Sequence, residues 1–387
     1  MNISAPKPKI IRTATIALSL DYLLKGQLAF LNQNAAVIAV SGQDHHLDTV
    51  REREGVRTVD ISMQRSISPL KDLISLIRLY KLFRRERPDI VHSITPKAGL
   101  LSMLAAKMAG VPVRIHTFTG LIFPSKKGVF QKLLIQMDRI LCHAATHIIP
   151  EGQGVLQDLK AYNITRKPIA VLANGNVNGL DTGFFDPVKI TEQERNDLRN
   201  ALGIQPGDFV FIFVGRLVRD KGINELVAAF DEVSNAGENI KLLLVGPYEE
   251  ELDPLLPETK QKIEQNSHII TVGFQKDVRP YMAISHVLAF PSYREGFPNV
   301  VLQAGAMELP AIVTNINGCN EIIEEGVNGL LIPVGSAAAL ASGMLQLFKN
   351  KEQYYKIRLK TRNLVVSRYR NEEVWHAIQA FYQKLLS

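Results

Sequence analysis

A single carboxylate stands out in the stretch Ser292–Pro310, SYREGFPNVVLQAGAMELP. Glu295 follows the apolar run VLAF, and Pro298 begins an apolar segment that is typical of a helix. Proline fits the first helical position, and the free N–H groups after it would point at a ligand and favour an anion. Because phosphate repels a carboxylate, we expect Glu295 to face neutral hydroxyls, as on a sugar. The alternative is a carboxylate that only stabilises the helix dipole.

Two cations follow another apolar run, in FIFVGRLVRDKG. Arg216 and Lys221 are five residues apart, and Gly222 comes where the next helix is expected to begin. Arginine can bind a phosphate with two parallel hydrogen bonds, and lysine acts as a point charge. The pair therefore predicts an anion site, whereas neither Walker A spacing nor a Gly-x-Gly-x-x-Gly motif is present here.

A third loop, VGFQKDV, follows the run IIT. We expect its backbone groups around Gly273, Phe274 and Val278 to hold a planar base. By itself this loop is a weak signal.

Short β-branched runs alternate with longer amphipathic runs along the 387 residues, which predicts an α/β fold with parallel sheets. Polar residues after such strands lie where open sheets bind ligands. We expect two doubly wound sheets of similar size, in domains spanning 1–203 and 204–366, and a final helix over 367–387 that can pack back on the first domain. The predicted strands are Thr15–Leu18, Ala36–Val40, Ile90–His92, Val113–Thr117, His147–Ile149, Ile169–Leu172, Val210–Val214, Lys241–Val245, Ile269–Val272, Val287–Phe290 and Ala311–Thr314.

The positive charge is concentrated in the first half of the chain. Residues 1–200 carry 27 Lys and Arg against 17 Asp and Glu, whereas residues 201–387 carry 18 against 21. A basic half can face nucleic acid, anionic lipid or a phosphorylated substrate, or be an ordinary solvated surface. No stacking aromatics alternate with the charge, which argues against nucleic acid.

No run of about 20 apolar residues occurs, and the apolar N-terminus is interpreted as a strand rather than a signal peptide. Two cysteines are too few for a disulfide framework and predict core thiols in a reducing compartment.

Several of these segments, in this order, resemble the family 4 glycosyltransferases. They are VNGLDTGFF, VGRLVRDKGINELVAAF, LLVGPYEEE, ITVGFQKDV and the stretch from LAFPSYREGFP to NGLLIPVG. The resemblance implies the GT-B fold, in which two Rossmann-like domains face a central cleft. It also implies transfer of a hexose or N-acetylhexosamine from a nucleotide diphosphate sugar, with retention and with UDP as the first choice of nucleotide.

The resemblance assigns roles to residues of the second half. Glu295 matches the first glutamate of the family's Glu-x7-Glu motif, which contacts the donor sugar, and Arg216 and Lys221 match its phosphate-binding cations. Gln303 replaces the second glutamate, which holds the ribose hydroxyls; we expect weaker or altered nucleotide binding, by roughly 1–2 kcal/mol. The donor-binding residues so implied are Gly215, Arg216, Lys221, Gly246, Gly273, Phe274, Val278, Glu295, Gly296, Phe297, Pro298, Asn299, Val300 and Gln303, with Glu295, Arg216 and Lys221 as the catalytic group.

The first half resembles a bacterial subset that extends polyprenyl-diphosphate-linked, capsular or O-antigen glycans, through DIVHSITPKAGLLSMLAAKMAGVPVRIHTFTGLIF. Thr119-Gly120 stands where many relatives have His-Gly. His116, three residues earlier, would face the other side of its strand and is interpreted as structural. For His92 an acceptor contact and a core position stay open. The acceptor candidates are Ser19, Lys25, Gly26, His92, Lys97, Thr119 and Gly120.

No cofactor and no catalytic metal are expected, because Arg216, Lys221 and the helix start after Pro298 can stabilise the leaving diphosphate.

The acceptor would be a glycan or a polyprenyl-diphosphate sugar. FPSKKGVFQKLLIQMDRILCHA mixes apolar residues with lysines and can rest on anionic lipid or simply be a core helix with a basic face. We expect a cytoplasmic protein that can attach to the inner face of the cytoplasmic membrane.

Two other functions fit parts of the pattern. Non-hydrolysing sugar-nucleotide 2-epimerases share the two-sheet architecture, although the Arg216–Lys221 spacing and the Glu295 loop argue against them. A noncatalytic nucleotide-sugar-binding subunit is the second alternative, because Gln303 and Thr119 depart from the family pattern.

Overall fold

The first parallel sheet of the computed structural model, which describes residues 7–387 except 65–67, 236, 238 and 252, has six strands. They are β1 (Lys9–Ile16), β2 (Ala36–Gly42), β3 (Arg57–Asp60), β4 (Ile90–Ser93), β5 (Val113–Phe118) and β6 (His147–Pro150). Their spatial order is β3-β2-β1-β4-β5-β6. The chain thus builds the sheet outward from β1 in one direction and then, from β4, in the other.

Eight helices accompany this sheet in the described residues. They are α1 (Ala17–Leu23), α2 (Gln27–Asn32), α3 (His45–Glu54), α4 (Pro69–Glu86), α5 (Pro96–Ala109), α6 (Gly128–Ala144), α7 (Gln153–Ala161) and, from the end of the chain, α16 (Asn371–Leu386). Proline begins α4 and α5, where its missing N–H costs nothing. Asp44 caps α3 by accepting hydrogen bonds from the N–H groups of His46 and Leu47.

The second parallel sheet also has six strands, in the order β12-β11-β10-β7-β8-β9. The strands are β7 (Phe209–Val214), β8 (Ile240–Val245), β9 (Ile269–Thr271), β10 (Val287–Phe290), β11 (Ala311–Thr314) and β12 (Gly329–Ile332). The helices are α8 (Glu192–Ala201), α9 (Ile223–Ser234), α10 (Pro257–Gln265), α11 (Arg279–Ala283), α12 (Asn299–Ala306), α13 (Cys319–Ile322), α14 (Ala337–Lys349) and α15 (Lys351–Arg368).

The chain divides into two compact units. Unit 1 holds the residues up to Gly179 together with Asn371–Ser387, and unit 2 holds Leu180–Arg370. The final helix therefore belongs to unit 1. Residues 180–203, which the sequence assigned to the first domain, belong to unit 2 because Leu180, Ile190 and Ile204 are part of its hydrophobic core.

Both faces of each sheet are covered, as expected for parallel strands whose sequences are continuous apolar runs. In unit 1, α4, α5 and α6 contribute to one buried cluster, and α1, α2, α3 and α16 contribute to another. Cys142 and Cys319 are free thiols and buried, which confirms the prediction of core cysteines. In the part of the chain that the structure describes, no helix combines the length and apolar character needed to cross a membrane.

The predicted doubly wound architecture is confirmed, but two of the predicted strands are wrong and two strands were missed. The first strand runs over Lys9–Ile16 instead of Thr15–Leu18, since α1 begins at Ala17. Residues 169–172 form only an isolated bridge between Ile148 and Ile169. Strands β3 and β12 were not predicted.

Candidate functional site

The predicted donor residues of unit 2 follow the carboxyl ends of three central strands, β7, β8 and β10, and of the edge strand β9. Strand β7 pairs with β8 on one side and with β10 on the other. The chain moves outward from β7 to β9 and then returns to β10, so the strand order reverses between β7 and β10. Ligands bind at such a reversal in open parallel sheets. The loops that carry Arg216, Lys221 and Glu295 all begin at this point.

The loop after β7 is tightly joined to the loop after β10. A Cβ on Gly222 would lie 2.1 Å from the carbonyl oxygen of Pro291, and Gly222 has a φ of +73°, so only glycine fits there. The N–H of Tyr293 donates to the carbonyl oxygen of Asp220 at 2.9 Å, and Arg294 pairs with the Asp220 carboxylate at 3.0 Å. These contacts bring the side chains of the two loops together.

Lys221 and Glu295 form an ion pair, Nζ to Oε1, at this junction. Their side chains are 18% and 14% exposed, so the pair is largely shielded from water. The Lys221 Nζ also lies 5.5 Å from the centroid of the Phe290 ring. Burial raises the pKa of the nearby Cys319 thiol well above its usual value, and the charge of Glu295 raises it further. The two predicted catalytic residues from distant parts of the chain are therefore in direct contact.

Arg216 lies on the more exposed side of this region and forms an ion pair with Glu249. Its side chain is 52% exposed, and that of Glu249 is 24% exposed. Glu249 follows β8, the neighbour of β7, and sequence analysis missed it. The run of acidic residues in PYEEE was the available signal, but only the strand pairing identifies which one meets Arg216.

The backbone itself approaches closely at the ends of β7 and β8. A Cβ on Gly246 would lie 1.8 Å from the carbonyl oxygen of Gly215, and Gly246 has a φ of +149°. The N–H of Gly215 donates to the Val245 carbonyl oxygen at 2.9 Å, and that of Leu217 to the Pro247 carbonyl oxygen at 2.8 Å. Glycine at 215 and 246 thus lets the two strand ends run side by side next to Arg216.

The start of α12 differs slightly from the prediction. Pro298 is extended and precedes the helix, which begins at Asn299, so proline is the cap residue and not the first helical residue. Phe297 is buried and its ring packs 5.6 Å from that of Tyr369, so its side chain supports the loop from the core. Gly296 and Val300 flank these residues and are partly exposed.

Gln303 lies on the second turn of α12 and is partly exposed. Over the ranges that the structure describes, its side-chain amide has no hydrogen-bond partner. A ribose contact of this amide stays a prediction.

The third predicted loop follows β9. Phe274 is 64% exposed, and Gly273 beside it is exposed as well. Val278 is half-buried and precedes α11. An exposed aromatic ring at the sheet edge can stack on a planar base.

The acceptor candidates of unit 1 lie at the corresponding reversal between β1 and β4. Ser19 is in α1, and Lys25 and Gly26 form the turn between α1 and α2. Lys97 follows β4, and Thr119 and Gly120 follow β5, the next strand in the sheet. The Thr119 hydroxyl donates to the carbonyl oxygen of Ile94 at 3.0 Å.

Two more of these candidates, Lys97 and Gly26, already form hydrogen bonds within the protein. Lys97 Nζ donates to both carboxylate oxygens of Asp72, at 2.8 and 2.7 Å, and is only 10% exposed. The N–H of Gly26 donates to the buried carboxylate of Glu54 at 2.9 Å. Both residues thus fix the geometry of the loops around them.

Of the two positions left open for His92, the structure shows the core one, which corrects its inclusion among the acceptor candidates. His92 is fully buried, with Nδ1 2.6 Å from the Tyr382 hydroxyl and Nε2 2.7 Å from the Thr117 hydroxyl. Burial lowers the pKa of His92 well below its usual value, and the nearby Arg12 lowers it further. Its hydrogen bonds tie α16 to the sheet.

His116 is structural, as predicted. Its Nδ1 lies 2.8 Å from the Ser93 hydroxyl, and its ring contacts that of Phe118 at 4.6 Å. Burial lowers the pKa of His116 to about 3. Such a histidine stays neutral at physiological pH.

Among the residues that the structure describes, no three His, Cys, Asp or Glu side chains are grouped so that they could hold an ion. Metal-independent chemistry stays a prediction, resting on the cations Arg216 and Lys221.

Residues in both units match models of glycosyl transferase families. Residues 194–364 match the model of the group 1 glycosyl transferases, and residues 29–175 match a glycosyl transferase 4-like domain. The chain is 30% identical to the capsular polysaccharide biosynthesis glycosyltransferase CapM of Staphylococcus aureus, over 98% of this chain and 97% of that protein. It is also 30% identical to the UDP-Gal:alpha-D-GlcNAc-diphosphoundecaprenol alpha-1,3-galactosyltransferase of Escherichia coli, over 74% and 73% of the two chains.

Solved structures share the fold over the whole length. A glycosyltransferase from Rickettsia africae superposes with a TM-score of 0.80 at 21% identity, covering 99% of this chain and all of that one. HepE from Anabaena, solved with UDP and glucose, superposes with a TM-score of 0.82 at 18% identity, covering 97% of this chain and all of that one. This likeness confirms the expected GT-B fold. Together with the family models and the full-length relative, it shows that the chain belongs to the group 1 glycosyl transferases and is a glycosyltransferase.

Proposed function

We propose that the enzyme transfers a hexose or N-acetylhexosamine from a UDP-sugar to a lipid-linked glycan, with retention, in the synthesis of a bacterial surface polysaccharide. The observation that carries this proposal is the Lys221–Glu295 pair at the strand-order reversal of unit 2, with Arg216 beside it. The printed name of the E. coli relative gives UDP-galactose as its donor and a diphosphoundecaprenol-linked sugar as its acceptor, and HepE binds UDP and glucose. Both support the same chemistry here.

In the proposed reaction the bond between the anomeric carbon and the diphosphate breaks, and its electron pair leaves with UDP. Arg216, Lys221 and the N-terminus of α12 stabilise the negative charge that develops on the diphosphate. Glu295 positions the sugar and compensates the positive charge that develops on it. The acceptor hydroxyl forms the new bond on the same face, and its proton passes to the departing diphosphate.

A transfer assay tests this function. Purified enzyme is incubated with UDP-galactose, UDP-glucose or UDP-N-acetylglucosamine and with N-acetylglucosaminyl diphosphate carrying an alkyl chain. We expect a disaccharide product, detected by mass spectrometry, whose anomeric configuration by NMR matches that of the donor. Epimerised donor without acceptor would instead indicate a 2-epimerase. Donor binding without any turnover would indicate a noncatalytic subunit.

Replacing Glu249 with glutamine is expected to tighten UDP binding. A diphosphate that binds Arg216 must compete with the Glu249 carboxylate, and glutamine keeps an acceptor for Arg216 while removing the competing charge. Because exposed ion pairs contribute about 0–1 kcal/mol, we expect a gain of up to about fivefold in affinity, measured by calorimetry. Glu250→Gln is the matched control, since Glu250 is the next residue and pairs with Lys260. Equal or weaker affinity in Glu249→Gln would contradict competition at Arg216.

Replacing Gln303 with glutamate is expected to strengthen the binding of UDP. The binding of free uracil or inorganic phosphate, which have no ribose, should not change. The glutamate restores a two-oxygen acceptor for the ribose hydroxyls, worth roughly 1–2 kcal/mol, which corresponds to about five- to thirtyfold in affinity. Calorimetry with UDP and with deoxy-UDP checks this, because the gain should disappear when the ribose 2′-hydroxyl is absent. An unchanged affinity for UDP would show that residue 303 does not reach the ribose.

An anionic membrane surface is the proposed location of the lipid-linked acceptor. On α6 and its N-terminal flank, Val129, Phe130 and Leu133 are exposed, at 85%, 47% and 47%, next to the exposed Lys126, Lys127 and Lys132. The structure adds a second such helix that sequence analysis did not single out. The exposed face of α4 carries both apolar and basic side chains: Leu70, Lys71, Leu73, Ile74, Ile77, Arg78 and Lys81. Helix α5 packs against both α4 and α6. This combination of apolar and cationic groups suits an anionic lipid interface.

Charge reversal at Lys126, Lys127 and Lys132 to glutamate is expected to release the enzyme from anionic vesicles. Each lysine near such a surface contributes about 1 kcal/mol, so the partition coefficient should fall at least about a hundredfold in a sedimentation assay with phosphatidylglycerol. The matched control reverses Lys351, Lys356 and Lys360, which are exposed on α15 of unit 2 and change the net charge equally. Unchanged sedimentation of the first variant, or equal loss in the control, would contradict a specific lipid-facing surface.

A further inference from the structure

A histidine that contacts a carboxylate lies beyond the carboxyl ends of β1 and β2 in unit 1. It is not among the acceptor candidates described above. Helix α1 follows β1 and contains Asp21, and α3 follows β2 and contains His46. Since β1 and β2 are paired neighbours, both helices begin at the same carboxyl edge of the sheet. The Asp44 side chain fixes the start of α3 by accepting from the N–H of His46 at 2.9 Å.

Asp21 holds the His46 ring through one of its two nitrogens. The Asp21 Oδ2 lies 2.7 Å from His46 Nδ1, and the other oxygen forms an ion pair with Arg53. Arg53 also donates to the Asp21 carbonyl oxygen at 2.9 Å. Because a carboxylate only accepts hydrogen bonds, Nδ1 carries the proton. In the neutral imidazole the lone pair is therefore on Nε2.

The His46 side chain is 18% exposed, and no hydrogen bond to its Nε2 occurs within the described stretches of the chain. The His45 ring lies against the His46 ring, with centroids 3.9 Å apart. Tyr22 stands next to it, with ring centroids 5.9 Å apart in an edge arrangement, and is 56% exposed. A fixed acceptor nitrogen beside an exposed aromatic ring can bind a hydroxyl while the ring covers an apolar face. A sugar ring presents both groups.

We propose that His46, oriented by Asp21, accepts a hydrogen bond from a hydroxyl of the acceptor sugar, and that Tyr22 packs against that sugar. This rests on the proposed function, in which unit 1 binds the glycan acceptor. His46 is then a specificity-determining residue that touches the acceptor and leaves the donor untouched. A purely structural role, tying α1 to α3, is the alternative that the experiment must separate.

Asparagine at position 46 separates the two roles. Its amide N–H takes the place of Nδ1–H and can keep the hydrogen bond to Asp21, but it has no atom at the Nε2 position. His46→Asn should raise the KM for N-acetylglucosaminyl diphosphate with an alkyl chain at least tenfold, with UDP-galactose as donor. The KM for UDP-galactose and the unfolding temperature should stay near their wild-type values. Glutamine, whose amide oxygen reaches further, should restore part of the acceptor affinity.

Two further variants complete the test. Glu52→Gln, at an exposed residue of the same helix, should leave the acceptor KM within twofold. Tyr22→Ala removes an exposed side chain and should raise the acceptor KM even if His46→Asn folds poorly. Wild-type acceptor KM in both His46→Asn and Tyr22→Ala would overturn the inference and leave the proposed function standing. Equal changes in both KM values with a lower unfolding temperature would assign His46 a structural role. Failure of the wild type to transfer at all would overturn the proposed function, and the inference with it.

Discussion

Glu295→Gln is expected to reduce kcat by about 100- to 1,000-fold without weakening the binding of UDP. Glutamine has the same shape and can still accept a hydrogen bond from Lys221, so the contact between the two loops survives. The charge that compensates the positively charged sugar is lost, however, and one preorganised electrostatic group contributes about 3–4 kcal/mol to transition-state stabilisation. Turnover measured as UDP release, together with calorimetry for UDP, separates the catalytic effect from binding.

The control for Glu295→Gln is Glu324→Gln. Like Glu295, Glu324 pairs with a cation in unit 2, which in its case is Arg368 at 2.6 Å. Glu324 lies away from the strand-order reversal. The kcat of the Glu324→Gln enzyme should stay within twofold of the wild-type value. A Glu295→Gln enzyme that keeps more than a tenth of the wild-type kcat would remove Glu295 from the proposed mechanism.

The sequence was sufficient for the elements whose pattern is strong. Buried parallel strands such as β7 and β10 are continuous apolar runs that end at polar loops, so both the strands and their loops could be located. Strand β3 was missed because it is a short edge strand whose first and last residues are exposed, which gives no apolar run. Strand β1 was misplaced because its apolar pattern continues without a break into α1.

The pairings between side chains could not be predicted in the same way, because they depend on strand order. Arg216 and Glu249 meet because β7 and β8 are neighbours, and nothing in the local sequence records that. His92 illustrates the same limit: its partner Tyr382 comes from α16, 290 residues later. A histidine at a strand end looks available until the element that covers it is known.

Lys221→Met is expected to weaken UDP binding by about ten- to a hundredfold and to reduce kcat as well. A charge-assisted hydrogen bond to a phosphate is worth about 1.5–3 kcal/mol, and the leaving diphosphate gains further negative charge in the transition state. Methionine keeps most of the side chain's length but removes the charge that lies 5.5 Å from the Phe290 ring centroid. The control is Lys356→Met, since Lys356 is exposed on α15, away from the strand-order reversal. Its UDP affinity should change less than threefold.

The double variant Lys221→Met/Glu295→Gln distinguishes loss of a catalytic cation from damage to the fold. Lys221→Met alone leaves the Glu295 carboxylate largely shielded from water without its cation, so the unfolding temperature should fall. Adding Glu295→Gln removes that charge, and the unfolding temperature should return toward the wild-type value. Turnover should stay as low as in the worse single variant, because both residues act on the same bond-breaking step. If turnover instead recovered together with stability, Lys221 would serve the pair's geometry alone and the leaving diphosphate would need another cation.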